Sequence, residues 1–169
     1  LRHVGSIDRV RQWVRVSDNL LGRIAIPRNT QREPVVIPGA DFDAEWINTG
    51  DARPDRVLLY LPGGAYIMRT PNVHTGMVSR LCKHANARAL MAYYRLAPEH
   101  PFPACLEDAV LAYRWLLRQG VAPDSIIIGQ VTMFSRPPAS SSLLTLAAMR
   151  SPSEIRAIAP SNRISNSST

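Results

Sequence analysis

The sequence predicts an α/β fold in which a mostly parallel β-sheet is flanked by helices. The run VLLYL at residues 57–61 is aliphatic and ends at a proline, which is typical of a strand buried on both faces of a parallel sheet. Residues 71–87 and 104–118 repeat apolar side chains at helical spacing. Residues 88–94 and 125–129 are again short and apolar and are predicted to be strands. Because strands and helices alternate along the chain, we expect one sheet with helices on its faces.

The N-terminal residues are predicted to form a helix followed by a linker. Ser6 can cap the helix, since its hydroxyl can accept a hydrogen bond from an unpaired N–H of the first turn. Apolar residues lie on roughly one face of this helix: Ile7, Val10, Trp13, Val14, Leu20 and Leu21. Residues 28–34 are polar and are predicted to be the linker. Residues 35–37 and 42–47 are predicted to be the first two strands, paired at the edge of the sheet.

A proline-rich loop connects the strand at 88–94 to the helix at 104–118. Residues 94–104 read YRLAPEHPFPA, and the three prolines fix φ and disfavour helix in the residues before them. The helix that follows has Glu107 and Asp108 in its first turn, where the helix dipole favours acidic side chains. Its apolar face is predicted to consist of Leu106, Ala109, Val110, Tyr113, Leu116 and Leu117, and the helix is predicted to end at Gly120.

This loop, with the residues LEDA at 106–109, closely resembles the YRLAPEHPFPAALED signature of the hormone-sensitive-lipase family of esterases. The resemblance covers about residues 35–129, and residues 143–149 resemble a later helix of the family. It implies the α/β-hydrolase fold and a carboxylic ester hydrolase that acts on small acyl esters without a cofactor or a metal. In similar family members an N-terminal helical segment caps the active site. A helix that only stabilises the domain is the alternative interpretation.

The loop after the strand at 57–61 is the candidate oxyanion hole. The family carries His-Gly-Gly-Gly here, and the backbone N–H groups of this loop face the oxyanion that develops during ester hydrolysis. In this chain Gly63 and Gly64 match, while Pro62 replaces the histidine and Ala65 replaces the last glycine. The resemblance therefore implies that Gly64 and Ala65 donate their N–H groups and that Gly63 shapes the turn. The missing histidine removes an expected anchor of the loop.

The nucleophile elbow of the family, Gly-x-Ser-x-Gly, should follow the strand at 125–129. Residues 129–138 read GQVTMFSRPP instead, and direct alignment places Thr132 at the nucleophile position. Threonine is a poor replacement because its methyl group crowds a strained turn. The catalytic Asp and His of the family come from later strands and loops, and no histidine follows His100. The earlier histidines are expected at the surface: His3, His74 and His84.

The missing elbow leaves several interpretations open, and in all of them the chain itself is expected to be inactive. One is a receptor-like paralogue that binds small molecules without catalysis. Another is a frameshifted or truncated product, since the codons of residues 134–137 can be chosen so that a neighbouring frame reads Ser-Ala-Gly. Altered splicing is a third. Residues 135–169 support a shifted frame, because they hold 10 serines against 4 in residues 1–134 and only one acid, Glu154.

Three regions are predicted along the chain. Residues 1–34 are a helical cap segment with its linker, and residues 35–150 are a partial α/β-hydrolase domain. Residues 151–169 are predicted to be a disordered tail, since they contain too little apolar surface to fold. Because a sheet covered by helices on both faces usually needs more than 169 residues, we expect an N-terminal portion of a longer enzyme.

Charge and composition limit the binding partners and the cellular location that we expect for this protein. The net charge is +7, yet 19 of the 20 basic residues are arginine and they are scattered along the chain, so no nucleic-acid partner is expected. No apolar stretch reaches the length of a membrane span, and residues 1–15 are too charged for a secretory signal. Cys82 and Cys105 lie within predicted helices and are expected to be unpaired, which favours the cytoplasm. The oligomeric state is not predicted.

Overall fold

The computed structural model describes residues 4–50, 52–53 and 55–130. Its strands are β1 Gln31–Val35, β2 Asp43–Asn48, β3 Val57–Leu61, β4 Arg88–Tyr93 and β5 Ile126–Gln130. Its α-helices are α1 Val4–Leu20, α2 Pro71–Ala85 and α3 Ala104–Arg118. The strands form one five-stranded sheet in the order β1-β2-β4-β3-β5. β1 and β2 are antiparallel to their neighbours, whereas β4, β3 and β5 are parallel to one another.

The two long crossover helices cover opposite faces of the sheet. α2 packs on a core that includes Tyr60, Val78 and Met91, and α3 packs on a second core that includes Leu59 and Trp115. Alternate residues of β3 thus enter different cores, because successive side chains of a strand point to opposite faces. The predicted α/β-hydrolase fold class is confirmed, and the bounds of β3 and α3 are the predicted ones.

The first strand lies earlier in the chain than predicted. β1 begins at Gln31, within the segment expected to be a linker, and Val36 is 90% exposed. Four of the five β1 residues are exposed, so hydrophobic patterning gave no sign of a strand. Pairing of its backbone with β2 creates the strand instead. Pro34 is tolerated because β1 is an edge strand, where a missing N–H donor does not interrupt the sheet.

The N-terminal helix exists as predicted, but its apolar face is not its packing face. Trp13 is 74% exposed, and Leu20 and Leu21 are also exposed. The helix is attached through polar side chains, of which Asp18 is the most buried at 3% exposure. Helical spacing identifies residues that share a face, but it does not show whether any other element covers that face.

The described residues test the predictions on the cysteines and on membrane spans, but they do not test the domain boundaries. Cys82 and Cys105 lie in helices and are unpaired, as expected. Among the described residues, none of the helices has both the length and the apolar character that a membrane crossing requires. The domain boundaries stay predictions, since the segment 143–149 and the predicted tail 151–169 lie outside the described residues.

Candidate active site

Strand register places the glycine loop at the end of β5. β3 and β5 run parallel, and Leu61, the last residue of β3, pairs with Gln130, the last residue of β5. The loop that follows Leu61 therefore leaves the sheet beside Gln130, at the carboxyl end of β5. This is the arrangement expected of an oxyanion loop and a nucleophile position at the carboxyl edge of a parallel sheet. Thr132, the aligned nucleophile, lies outside the described residues.

The glycine loop turns through an unusual backbone. Gly64 has φ of 153°, and the non-glycine residues Ala65 and Tyr66 have φ of 53° and 62°. A Cβ at Gly64 would lie 2.1 Å from the carbonyl oxygen of Met68, so only glycine fits there. The Gly64 carbonyl accepts hydrogen bonds from the N–H groups of Ile67 and Met68, both at 3.1 Å. These two bonds close a tight turn.

Four consecutive N–H groups of the loop are left without an acceptor. Within the described part of the chain, Gly63, Gly64, Ala65 and Tyr66 donate their backbone N–H to nothing. Successive free N–H groups at a turn form a concavity that binds anions. The loop is therefore chemically suited to hold a negatively charged oxygen.

Side chains hold the loop by its carbonyl groups, which compensates for the missing histidine at position 62. The Tyr94 hydroxyl donates to the Pro62 carbonyl at 2.6 Å. The His74 Nε2 lies 3.1 Å from the Gly63 carbonyl, and the Tyr60 hydroxyl lies 2.7 Å from His74 Nδ1. Burial raises the pKa of Tyr94 to about 12, so its hydroxyl keeps the proton that it donates.

The expectation that His74 lies at the surface is wrong. The residue is 5% exposed, because its position on α2 faces the sheet. Burial lowers the pKa of His74 and raises that of Tyr60, so both groups are neutral at pH 7. One tautomer satisfies both contacts: Nε2–H donates to Gly63, and Nδ1 accepts from Tyr60. With both nitrogens engaged, His74 orients the loop and is not a catalytic base.

The proline loop is joined to α3 by a buried ion pair. The Arg95 guanidinium donates to both carboxylate oxygens of Asp108, with the shortest distance 2.8 Å, and the Arg95 backbone N–H also donates to this carboxylate at 2.8 Å. Asp108 is 3% exposed. Of the two acids predicted for the first turn of α3, Glu107 lies there, whereas Asp108 lies just beyond it and binds Arg95. Its partner is distant in sequence, and helical periodicity alone cannot identify such a contact.

A cavity of about 440 Å³ adjoins the loop. Its walls come from the ends of β3 and β5, the proline loop and α3, and they include Leu61, Tyr66, Tyr94, Phe102, Leu106 and Gln130. The volume lies within the range of small-ligand pockets, which are mostly apolar with a few polar groups. Among the residues that the structure describes, no group of three or more His, Cys, Asp or Glu side chains could hold a metal ion.

Sequence reasoning identified the loop glycines but missed two residues that hold them. In the sequence, Tyr94 is only the first residue of the family signature, and His74 is expected at the surface. The polar positions of α2 on the side that faces the sheet could have indicated His74, since a polar residue on a buried face needs a nearby partner.

Known proteins similar to this chain are esterases. A family model described as the α/β hydrolase fold matches residues 58–133. The acetyl-hydrolase of Streptomyces hygroscopicus is 48% identical over 86 residues, which is 50% of this chain and 28% of that protein. The carboxylesterase/phospholipase LipF of Mycobacterium tuberculosis is 41% identical over 73 residues, covering 43% of this chain and 20% of that protein.

Solved structures show the same likeness. The crystal structure of an esterase from the bacterial hormone-sensitive lipase family superimposes with a TM-score of 0.66 at 40% sequence identity, covering 73% of this chain and 40% of that one. The esterase EstE5, soaked with p-nitrophenyl butyrate, superimposes with a TM-score of 0.65 at 38% identity over 73% of this chain and 40% of that one. The chain thus spans less than half the length of these relatives.

Proposed function

Because this chain belongs to the hormone-sensitive-lipase family of α/β-hydrolases, we propose that it carries the oxyanion-binding half of a carboxylic ester hydrolase. One observation carries the proposal. Four successive backbone N–H groups, at Gly63, Gly64, Ala65 and Tyr66, have no acceptor in the described part of the chain and follow the carboxyl end of a buried strand. A loop of this kind can bind a ligand whose negatively charged oxygen accepts hydrogen bonds from these N–H groups.

The chemistry follows from charge development during ester hydrolysis. When a nucleophile attacks the ester carbon, the electron pair of the carbonyl double bond moves to the oxygen, which becomes negative. N–H dipoles that already point to this oxygen stabilise it without reorganising, and loss of one such donor costs roughly 10²–10³ in rate. Gly64 and Ala65 are the proposed donors, with Gly63 completing the turn. Thr132, which aligns with the nucleophile position of the family, lies outside the described residues.

The proposed substrate is an ester with a small acyl group. The adjoining cavity of about 440 Å³ can accept a short acyl chain against Leu61 and Leu106. We further propose a reducing compartment such as the cytoplasm, since Cys82 and Cys105 are unpaired. The N-terminal region 1–34 is proposed to act as a cap segment of the site.

Butyrate tests the proposal on the chain as it stands, because its carboxylate imitates the oxyanion. In a titration followed by amide ¹H–¹⁵N NMR, the signals of Gly63, Gly64 and Ala65 should show the largest shifts and should saturate. If these three amides do not respond, or respond no more than surface amides, the proposal is wrong. Saturable binding is expected of a receptor-like paralogue as well, and the coding DNA after Gly129 separates these two interpretations.

A matched pair of glycine variants gives the control. Gly64→Ala forces a Cβ against the Met68 carbonyl, whereas Gly39→Ala at φ 80° meets no atom within 4 Å. Both substitutions place alanine at a positive φ. Gly64→Ala should therefore abolish the butyrate response, and Gly39→Ala should retain it.

A further inference from the structure

The Arg11 side chain of α1 reaches both loops of the candidate site. Its Nε donates to the Ile67 carbonyl at 2.6 Å, and its Nη2 donates to the Ala97 carbonyl at 2.6 Å. Its Nη1 and Nη2 also donate to the two carboxylate oxygens of Glu99, at 2.6 and 2.9 Å. A single guanidinium therefore joins α1, the glycine loop and the proline loop.

The two loops also bond directly at the point where Arg11 binds. The Ala97 N–H donates to the Tyr66 carbonyl at 2.9 Å. Tyr66 and Ala97 both line the cavity, so Arg11 lies directly behind the cavity wall. The planar guanidinium makes four hydrogen bonds to two carbonyls and a carboxylate, whereas a lysine ammonium has only three donors and cannot make all four.

The left-handed residues of the glycine loop lie between two sets of these anchors. Before them, Tyr94 and His74 hold the carbonyls of Pro62 and Gly63. After them, Arg11 holds the carbonyl of Ile67. Non-glycine residues at positive φ persist only where the surrounding structure holds them there.

We propose that Arg11 is a positioning residue of the oxyanion loop, holding Ala65 and Tyr66 in their left-handed conformation through the carbonyls of Ile67 and Ala97. Its importance to binding rests on the function proposed above, but its effect on loop conformation does not. The alternative is a surface ion pair with Glu99 that only attaches α1. The Glu99 side chain is 50% exposed, and exposed pairs contribute little.

Four variants separate these roles. Arg11→Gln removes the guanidinium that binds Ile67, Ala97 and Glu99. Arg11→Lys keeps the positive charge but loses the planar arrangement of N–H donors. Glu99→Gln keeps an oxygen that Arg11 can bind and leaves both carbonyl bonds in place. Arg15→Gln changes an exposed arginine of the same helix and serves as the control.

The primary measurement is loop conformation by NMR, using amide shifts and the coupling that reports φ at Ala65 and Tyr66. Both Arg11 variants should move these signals and speed amide exchange at Ile67 and Ala97 at least tenfold, with sheet amides unchanged. Glu99→Gln and Arg15→Gln should match the wild type within about twofold. If Arg11→Lys behaves like the wild type, or if Glu99→Gln behaves like Arg11→Gln, the positioning role is refuted.

Butyrate titration of the same variants separates this inference from the proposed function. We expect butyrate to bind both Arg11 variants at least several-fold more weakly than the wild type. If butyrate fails to bind the wild type while the Arg11 variants still displace Ala65 and Tyr66, the oxyanion function fails and the positioning role stands. If butyrate binds the wild type and the Arg11 variants equally, and the loop signals do not move, only the positioning role fails.

Discussion

At the scale of single residues, the chain places an ordinary alanine where the backbone favours glycine. Ala65 has φ of 53°, a region that costs an L-residue roughly 1–2 kcal/mol because Cβ crowds the following carbonyl. The family has glycine at this position. The alanine retains the N–H that the site needs, so the departure affects stability rather than the donor itself.

Ala65→Gly should therefore raise the free energy of unfolding by up to about 1 kcal/mol, since relief of strain outweighs the greater entropy of glycine in the unfolded chain. The matched control is Ala122→Gly, whose φ of −64° and ψ of 140° suit any residue. That variant should lose stability. Urea denaturation measures both, and equal losses in the two variants would contradict the strain argument.

A second residue-scale prediction concerns His74 and pH. Its pKa is lowered by burial from an ordinary value near 6.5, so below pH 6.5 the unfolded chain binds a proton that the folded chain does not. The stability contributed by neutral His74 is present above that pH and decreases as the pH falls through 6.5. His74→Gln should flatten the dependence between pH 7 and 5.5, and the exposed His84→Gln should not. Thermal melts across this range test the prediction.

At the scale of elements, one helix is capped by another. The first turn of α2 has no capping side chain of its own, since Thr70 makes no capping bond. The Asp18 carboxylate of α1 instead accepts the backbone N–H groups of Asn72 at 3.0 Å and Val73 at 2.9 Å. An acidic group at this end also interacts favourably with the helix dipole. The same contact therefore caps α2 and attaches α1.

Asp18→Ala should lower the free energy of unfolding by at least about 1–2 kcal/mol, the usual cost of a lost cap, with additional loss from the burial of unpaired donors. Hydrogen exchange should increase in α1 and in the first turn of α2 before it does in β3. Asp124→Ala, at an exposed position, is the control and should change neither. Uniform loss of protection across the sheet would show that Asp18 supports the whole domain rather than this junction.

At the scale of the molecule, the sheet places the glycine loop beside the end of β5, while the sequence after β5 departs from the family pattern. The family match ends at residue 133, close to where the elbow motif is absent from the sequence. The family pattern in the sequence is thus retained in part at the glycine loop and lost at the elbow.

We therefore expect the chain to hydrolyse p-nitrophenyl butyrate no faster than its Thr132→Ala variant. Without a nucleophile and base that work together, only oxyanion binding is left, and loss of a serine triad costs about 10⁶ in rate in a serine protease. A colourimetric assay of both proteins at equal concentration decides the question. Turnover that disappears in Thr132→Ala would mean that threonine serves as the nucleophile.

The coding DNA supplies a further prediction at this scale. The codons between Gly129 and Leu143 should encode Ser-Ala-Gly in a neighbouring frame, and DNA further on should encode an Asp and a His. Restoring that frame should give an active esterase whose activity is lost when the restored serine is mutated. If no frame encodes an elbow, a receptor-like paralogue becomes the better interpretation.

The sequence alone determined the fold class, the bounds of β3 and α3, and the position of the glycine loop, because these depend on local patterns: apolar runs, helical spacing, and glycine after a strand. Local patterns could not identify β1, whose exposed residues become a strand only through pairing with β2.

Only the tertiary structure decided how the loop is held. His74, Tyr94 and Arg11 each come from a different part of the chain, and each binds a backbone carbonyl of the glycine loop. A carbonyl group is the same at every residue, so the sequence carries no mark of which one a distant side chain will reach. That choice is made when the helices pack against the sheet and bring these donors within bonding distance.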